Sequence, residues 1–136
     1  MTAKYFVDTN IWIYAHLDKN KDKKGKLANQ LVETAQHLVI STQVLSEYYS
    51  VMLRNRAEDV WIQNNLEAMS HYCEVVPVTL ATIRSAHRIR LRYHFSYWDS
   101  LIIASALESG ATYLYSEDMQ SGQVIEDVLK ITNPFI

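Results

Sequence analysis

The sequence contains few of the residues that interrupt secondary structure, and almost no cysteine. Its 136 residues include three glycines, two prolines and one cysteine. Scarce glycine and proline favour a chain in which helices dominate. The single thiol, Cys73, excludes an intrachain disulfide framework and indicates a reducing compartment. We interpret Cys73 as a small buried hydrophobe.

Long apolar runs and a strong excess of charge of either sign are also missing. No segment approaches the roughly 20 apolar residues that a membrane-spanning helix needs. The N-terminus enters an apolar strand and lacks the charged region of a signal peptide. We therefore expect a cytoplasmic protein without a membrane segment. The net charge of -2 argues against nucleic-acid binding by bulk charge, so such binding would require a local basic patch.

Short apolar segments alternate with helical patterns along the chain. The patterns predict strands over 4–7, 38–40, 74–78, 112–115 and 129–132. They predict helices over 11–17, 24–36, 58–72, 79–93 and 96–110, and one more after Ser41 or Thr42. This alternation is typical of an α/β fold in which helices cover both faces of a parallel sheet. The length corresponds to one domain spanning residues 1–136.

Four acidic residues adjoin strongly apolar segments: Asp8, Glu47, Asp99 and Asp118. Isolated carboxylates avoid burial unless they are paired or bind a metal. Two of the four follow strands directly, and sites in open parallel sheets form beyond the carboxyl ends of the strands. Oxygen ligands without clustered histidine or cysteine favour Mg²⁺ or Mn²⁺ over zinc. The pattern thus predicts a divalent-cation site suited to phosphodiester chemistry.

Each acid also has a simpler interpretation, which the sequence leaves open. Asp8 can serve as the N-cap of the first helix, and Asp99 can form a capping box with Ser96. Glu47 can be a solvated helix residue, and aspartates such as Asp118 are common in turns. The joint interpretation is stronger, because carboxylates that converge repel one another and need a positive charge.

Three polar neighbours are predicted to support the acids: Thr9, Asn10 and Ser116. A hydroxyl at such a position can orient a carboxylate or a metal-bound water. Of the adjacent acids Glu117 and Asp118, we expect Glu117 to be the one that faces solvent.

A basic row is predicted on the helix over 79–93, formed by Arg84, Arg88 and Arg92. Residues four apart share a helix face, and arginines there can grip phosphates bidentately. An ordinary solvated face is the alternative. On the same helix we expect Leu80, Ile83 and Leu91 to pack inward and His87 to be a hydrogen-bonded core residue. The lysine-rich segment 18–26 is interpreted chiefly as a solvated loop leading into a helix.

Four short motifs, in this order and spacing, resemble those of the PIN-domain ribonucleases, and among them the VapC-type toxins of bacterial toxin–antitoxin modules. They are Val7-Asp8-Thr9-Asn10, Ser46-Glu47, Trp98-Asp99-Ser100-Leu101-Ile102, and Tyr115-Ser116-Glu117-Asp118-Met119 followed by Gly122. The resemblance extends over nearly the whole chain, including the tail from Leu129 to Phe135.

The resemblance implies a compact α/β/α sandwich with a short, mostly parallel sheet. It assigns Asp8, Glu47, Asp99 and Asp118 to an acidic metal site, with Thr9 and Ser116 as polar support. It also implies endonucleolytic cleavage of RNA by an activated water with Mg²⁺ or Mn²⁺, a homodimer, and an antitoxin partner that blocks the site.

Other functional classes remain as alternatives. One is a non-catalytic RNA-binding or regulatory α/β module that retains a metal site. A response-regulator-like switch would require a conspicuous late lysine near Ser116, and a haloacid-dehalogenase-like phosphatase would require a second acid at Asn10. The sequence lacks both features.

Overall fold

A computed structural model describes residues 3–136 as six strands and six helices. The strands are β1 (Tyr5–Val7), β2 (Leu38–Ser41), β3 (Glu74–Val76), β4 (Tyr113–Tyr115), β5 (Val124–Ile125) and β6 (Leu129–Thr132). The helices are α1 (Thr9–Leu17), α2 (Lys23–Thr34), α3 (Thr42–Arg54), α4 (Asp59–Tyr72), α5 (Leu80–Tyr93) and α6 (Tyr97–Glu108).

The strands form one sheet in the order β3-β2-β1-β4-β6-β5. All neighbouring pairs are parallel except β5 and β6. The two central strands contribute Phe6, Val7 and Leu114, which are fully buried, as expected for a parallel sheet covered by helices. The predicted fold class is confirmed, and the carboxyl ends of β1 and β4 lie side by side because Val7 is in register with Tyr115.

The most buried helix is α6. Every residue from Ser100 to Ala106 is buried, as the uniformly apolar sequence of this helix predicts. Its start is capped by Ser96, whose Oγ accepts a hydrogen bond from the Asp99 backbone N–H at 3.1 Å. Asp99 therefore lies in the first turn of a helix that runs through the interior.

The predicted strands and helices are confirmed to within a few residues. The strand before Pro77 lies at an edge of the sheet and ends at Val76, because proline cannot continue the ladder. Only β5 was not predicted. It pairs with β6 through a turn in which Glu126 and Asp127 both have positive φ, a conformation usually signalled by Asn or Gly.

The predicted inner face of α5 is wrong at Leu80 and Leu91, whereas Ile83 packs inward against buried residues as expected. Leu80 is 60% exposed and Leu91 is 80% exposed, while His87 is also exposed and lies against the ring of Tyr97. The buried positions are Thr82, Ala86 and Ile89. The small side chain of Ala86 packs against Leu101 and Ala104 of α6, so packing selects a face that hydrophobicity alone does not indicate.

None of the helices within residues 3–136 combines the length and apolar character needed to cross a bilayer.

The corner between α1 and α2 is tightly packed. Asp22 caps α2 by accepting a hydrogen bond from the backbone N–H of Gly25 at 2.8 Å. A Cβ at Gly25 would lie 1.8 Å from the carbonyl oxygen of Asp18. Because that oxygen belongs to the backbone, only glycine lets the two helices meet this closely.

Gly25→Ala is expected to destabilise the protein by about 1–3 kcal/mol, because the clash forces backbone displacement. The loss should occur although alanine favours a helix over glycine by about 1 kcal/mol. Urea unfolding followed by circular dichroism measures the change. Lys26→Ala, at an exposed position of the same helix, is the control and should change stability by less than about 0.5 kcal/mol. Equal stability of Gly25→Ala and the unmodified chain would contradict the packing described.

Candidate active site

Asp8 lies at the carboxyl end of β1 and is 7% exposed. Its Oδ1 accepts the backbone N–H of Thr9 at 2.7 Å, so it caps α1. Its Oδ2 accepts the hydroxyl of Ser116 at 2.9 Å. The capping interpretation is therefore correct, and it is compatible with a site, because the same carboxylate also lines a cleft.

This cleft, which we call the acidic cleft, lies beyond the carboxyl ends of β1 and β4 and has a volume of about 110 Å³. All four predicted acids line it. The complete lining is Asp8, Thr9, Asn10, Glu47, Val51, Trp98, Asp99, Ile102 and Asp118. Residues from four separate parts of the chain thus meet at one point of the sheet edge.

The predicted supporting residues each contact one of the acids. Thr9 donates its hydroxyl to Glu47 Oε1 at 3.0 Å. Asn10 donates its side-chain amide to Asp118 Oδ2 at 2.7 Å. Together with the bond from Ser116 to Asp8, these contacts hold three of the four acids in defined orientations.

The electrostatics of the cleft disfavour four negative charges. Burial, and to a smaller extent the nearby charges of Asp99 and Glu47, raise the pKa of Asp8 from 3.8 to about 7. Burial and the charge of Asp118 likewise raise the pKa of Asp99. The two hydrogen bonds that Asp8 accepts oppose this rise only in part. The cleft therefore favours binding of either a proton or a cation.

The donor set fits a hard divalent cation, although the arrangement is not a ready-made ligand cage. Among residues 3–136, no three histidine, cysteine, aspartate or glutamate side chains stand close enough to hold a metal ion as they are. Hydrogen bonds keep Glu47 on Thr9 and Asp118 on Asn10. The oxygens available are nevertheless those that Mg²⁺ and Mn²⁺ prefer.

The expected difference in solvent exposure between Glu117 and Asp118 is reversed. Asp118 is the more exposed residue, whereas Glu117 is half-buried. Glu117 accepts the hydroxyl of Tyr14 at 2.6 Å and forms an ion pair with Lys24. Lys24 is 93 positions away from Glu117 in sequence, so no local pattern signals this contact. The interpretation of residues 18–26 as a solvated loop is therefore wrong for Lys24.

The predicted arginine row is only partly available to a ligand. Arg84 and Arg88 are exposed, and Arg88 donates to Ser85 at 2.9 Å. Arg92 forms a 2.7 Å ion pair with Glu126, so its guanidinium is already engaged. None of the three arginines lines the acidic cleft described above.

Trp98 is a cleft residue that the sequence did not single out. Most of its helix is buried, yet Trp98 is 62% exposed and lines both the acidic cleft and a neighbouring hollow of about 440 Å³. The hollow is lined by Thr42, Gln43, Ser46, Glu47, Val78, Trp98 and Leu101. The position of Trp98 next to Asp99, in the first turn of α6, is the local signal that could have identified Trp98 as a cleft residue.

The fold and the cleft together define a class: α/β proteins with carboxylates gathered at the carboxyl edge of a parallel sheet. Within this class, the PIN domain family model matches residues 5–123. The chain belongs to the PIN domain family. Among curated protein sequences, none matches the chain significantly.

Solved structures share this fold. VapC20 of Mycobacterium tuberculosis, described as a sarcin-ricin loop cleaving toxin, has a TM-score of 0.70 and 21% identity over 85% of this chain and 90% of its own. VapBC2 of Rickettsia felis, bound to a promoter DNA fragment, has a TM-score of 0.65 and 19% identity over 95% and 98%. A toxin–antitoxin complex of Klebsiella pneumoniae has a TM-score of 0.71 and 19% identity over 98% of each chain.

Asp8→Asn is expected to stabilise the metal-free protein at high pH. Below pH 3.8 the Asp8 carboxyl is protonated whether the chain is folded or unfolded. Between pH 3.8 and about 7 it ionises only in the unfolded chain, so stability falls as the pH rises. A pKa difference of this size corresponds to roughly 4 kcal/mol above pH 7. Urea unfolding in EDTA at pH 4, 6 and 8 measures the effect.

The control for this prediction is Asp127→Asn, which changes the same residue type at an exposed turn. The stability difference between Asp8→Asn and the unmodified chain should grow by a few kcal/mol from pH 4 to pH 8. For Asp127→Asn it should stay within about 0.5 kcal/mol. Parallel stability curves for Asp8→Asn and the unmodified chain would show that Asp8 ionises freely in the folded state.

Proposed function

We propose that this chain is a divalent-metal-dependent endoribonuclease and the toxin of a toxin–antitoxin pair. The observation that carries the proposal is the acidic cleft, in which a buried carboxylate, Asp8, lies beside three further acids. Support also comes from the structural neighbour described as a sarcin-ricin loop cleaving toxin. In this proposal residues 1–136 form one nuclease domain that acts in the cytoplasm.

The residues that would hold the ion are Asp8, Glu47, Asp99 and Asp118. A bound Mg²⁺ or Mn²⁺ supplies a nucleophilic hydroxide at neutral pH and stabilises charge on the phosphodiester. Ser116 and Thr9 keep Asp8 and Glu47 in place through their hydroxyls. The raised pKa of Asp8 means that cation binding near neutral pH competes with a proton.

The RNA would reach the cleft across Trp98 and the neighbouring hollow. The exposed indole of Trp98 offers a stacking surface for a base directly beside the acids. Arg84 and Arg88 are exposed on α5, neither is in an ion pair within residues 3–136, and they would supply phosphate contacts that the net charge of the chain does not. We assign Arg92 a smaller part, because it is paired with Glu126.

Purified protein is expected to cut labelled total RNA into discrete fragments with Mg²⁺ or Mn²⁺, and to stop when EDTA is added. Asp8→Asn and Asp99→Asn should each lower the cleavage rate by at least about 100-fold, because each removes a charged oxygen donor from the cleft. Asp127→Asn, at an exposed turn outside the cleft, should cleave like the unmodified chain. Gel analysis of fragment yield against time measures the rates.

Cleavage that survives EDTA, or survives Asp99→Asn, would overturn the assignment of the acids. Tight, metal-independent RNA binding without cleavage would favour the alternative, a non-catalytic RNA-binding or regulatory module that retains the cleft. Asp8→Asn separates these outcomes from misfolding, because this variant is expected to be the more stable protein at neutral pH.

Two partners complete the proposal, a second copy of the chain and an antitoxin. Support for a homodimer comes from two exposed apolar side chains on α5, Leu80 and Leu91. Support for an antitoxin comes from the toxin–antitoxin complexes among the structural neighbours. A groove of about 620 Å³ between α1, α2 and α4 offers it exposed aromatic contacts, since Trp61 is 38% and Tyr72 is 73% exposed.

Sedimentation equilibrium is expected to give twice the mass of one chain for the protein alone. Leu91→Glu places a charge on the apolar surface, so this variant should have the mass of a single chain.

Co-expression with a small protein encoded beside the chain should give a heavier complex that no longer cleaves RNA. Trp61→Ala should weaken that complex while leaving the mass of the protein alone unchanged. A monomeric unmodified chain would contradict the homodimer, and full cleavage by the complex would contradict an antitoxin.

A further inference from the structure

The segment that follows β4 alternates its side chains between two environments. Ser116 turns towards Asp8, and Asp118 turns towards Asn10 at the rim of the acidic cleft. Glu117, between them, points the other way, towards α1 and α2. Two acids adjacent in sequence are therefore separated, and only Asp118 lines the cleft.

Three residues form a cluster with Glu117, and we call the four together the Lys24 clamp: Tyr14, Lys24, Glu117 and Phe135. Tyr14 donates its hydroxyl to Glu117 at 2.6 Å, and Lys24 forms an ion pair with it. The Lys24 ammonium also lies 5.0 Å from the centre of the Tyr14 ring and 5.3 Å from that of Phe135. Charge-assisted and cation–π contacts reinforce one another here.

The ion pair of the clamp is partly withdrawn from solvent. The Glu117 side chain is 22% exposed and that of Lys24 is 41% exposed. Burial raises the pKa of Glu117, but the hydrogen bonds from Lys24 and Tyr14 outweigh it and hold this pKa below its ordinary value. Glu117 therefore lies beside a cation of its own, Lys24, which offsets its charge.

The position of Lys24 is set by the tight corner between α1 and α2. Lys24 lies in the first turn of α2, next to Gly25, whose backbone meets that of Asp18. Asp22 caps this turn. A side chain anchored on such a corner holds its partner more rigidly than one on a free loop.

We propose that the Lys24 clamp is a positioning device that turns Glu117 away from the acidic cleft and Asp118 into it. Loss of the clamp should weaken divalent-cation binding and RNA cleavage while the chain stays folded. This inference rests on the proposed nuclease function. Removing an outer partner of a metal ligand typically lowers metal affinity by about 10–100-fold.

The test compares four variants by calorimetric titration with Mn²⁺ alone. Lys24→Met keeps the apolar stem but removes the charge, and Glu117→Gln removes the other half of the ion pair. Each should weaken Mn²⁺ binding about tenfold. Lys24→Arg, which keeps the charge and the aromatic contacts, should bind nearly as well as the unmodified chain. Lys26→Met, at an exposed position of the same helix, is the matched control and should bind normally.

A double variant shows whether Lys24 and Glu117 affect Mn²⁺ affinity through their shared contact or independently of each other. Because Lys24 and Glu117 act through one contact, Lys24→Met combined with Glu117→Gln should lose no more affinity than either change alone. Independent effects would multiply to about a hundredfold loss, and that result would overturn the proposal. So would Mn²⁺ affinity in Lys24→Met equal to that of the unmodified chain.

Hydrogen exchange of the metal-free protein tests the clamp separately from the nuclease function. Lys24→Met should speed amide exchange in a peptide covering 113–120 and leave exchange in β2 and α6 unchanged. Unchanged exchange in that peptide would overturn the clamp even if the chain proves to be a nuclease. If the unmodified chain does not bind Mn²⁺, the proposed function and the effect of the clamp on cation binding are both overturned. The hydrogen-exchange measurement would still decide whether the clamp orders residues 113–120.

Discussion

The buried carboxylate of Asp8 is the constraint on which the rest of the structure depends. It lies at the carboxyl end of β1, a central strand whose neighbours β2 and β4 exclude water from its sides. Burying such a group without partners is costly, so the fold supplies two: the backbone N–H that starts α1, and the Ser116 hydroxyl at the end of β4. These bonds tie the first helix, the first strand and the fourth strand to one side chain. The burial that they permit is also what raises its pKa and makes a cation favourable in the cleft.

Five acids crowd this edge of the sheet, and the structure gives them different roles through their partners. Glu47 and Asp118 accept bonds from neutral donors, Thr9 and Asn10, which orient them without removing their charge. Glu117 alone has a cation of its own, Lys24. The result is a small cleft lined by four acids, flanked by a fifth acid whose charge Lys24 offsets. Such a distribution suits binding of a divalent ion more than storage of protons, because an ion interacts with several carboxylates at once.

Local patterns in the sequence predict most of the fold. Strand ends, helix starts and the buried character of α6 follow from short apolar runs and capping residues, and each agrees with the structure. The failures have identifiable causes. The β5–β6 turn uses Glu126 and Asp127 at positive φ, where Asn or Gly would have been the recognisable signal. On α5, close packing against α6 favours the small residue Ala86 over Leu91, so the larger apolar side chain stays outside.

The sequence by itself determined which elements form and that Asp8 and Asp118 follow strands at the same edge, because periodicity, capping and the geometry of parallel strands act over a few residues. It also carried four short motifs that resemble those of the PIN domain family, whose model matches residues 5–123. Only the tertiary structure decided which polar group meets which acid. The contact between Lys24 and Glu117 and that between Asn10 and Asp118 join residues that are far apart in the chain. Such pairs depend on how whole helices are placed against the sheet, and that placement is set by the packing of the entire core rather than by any local run of residues.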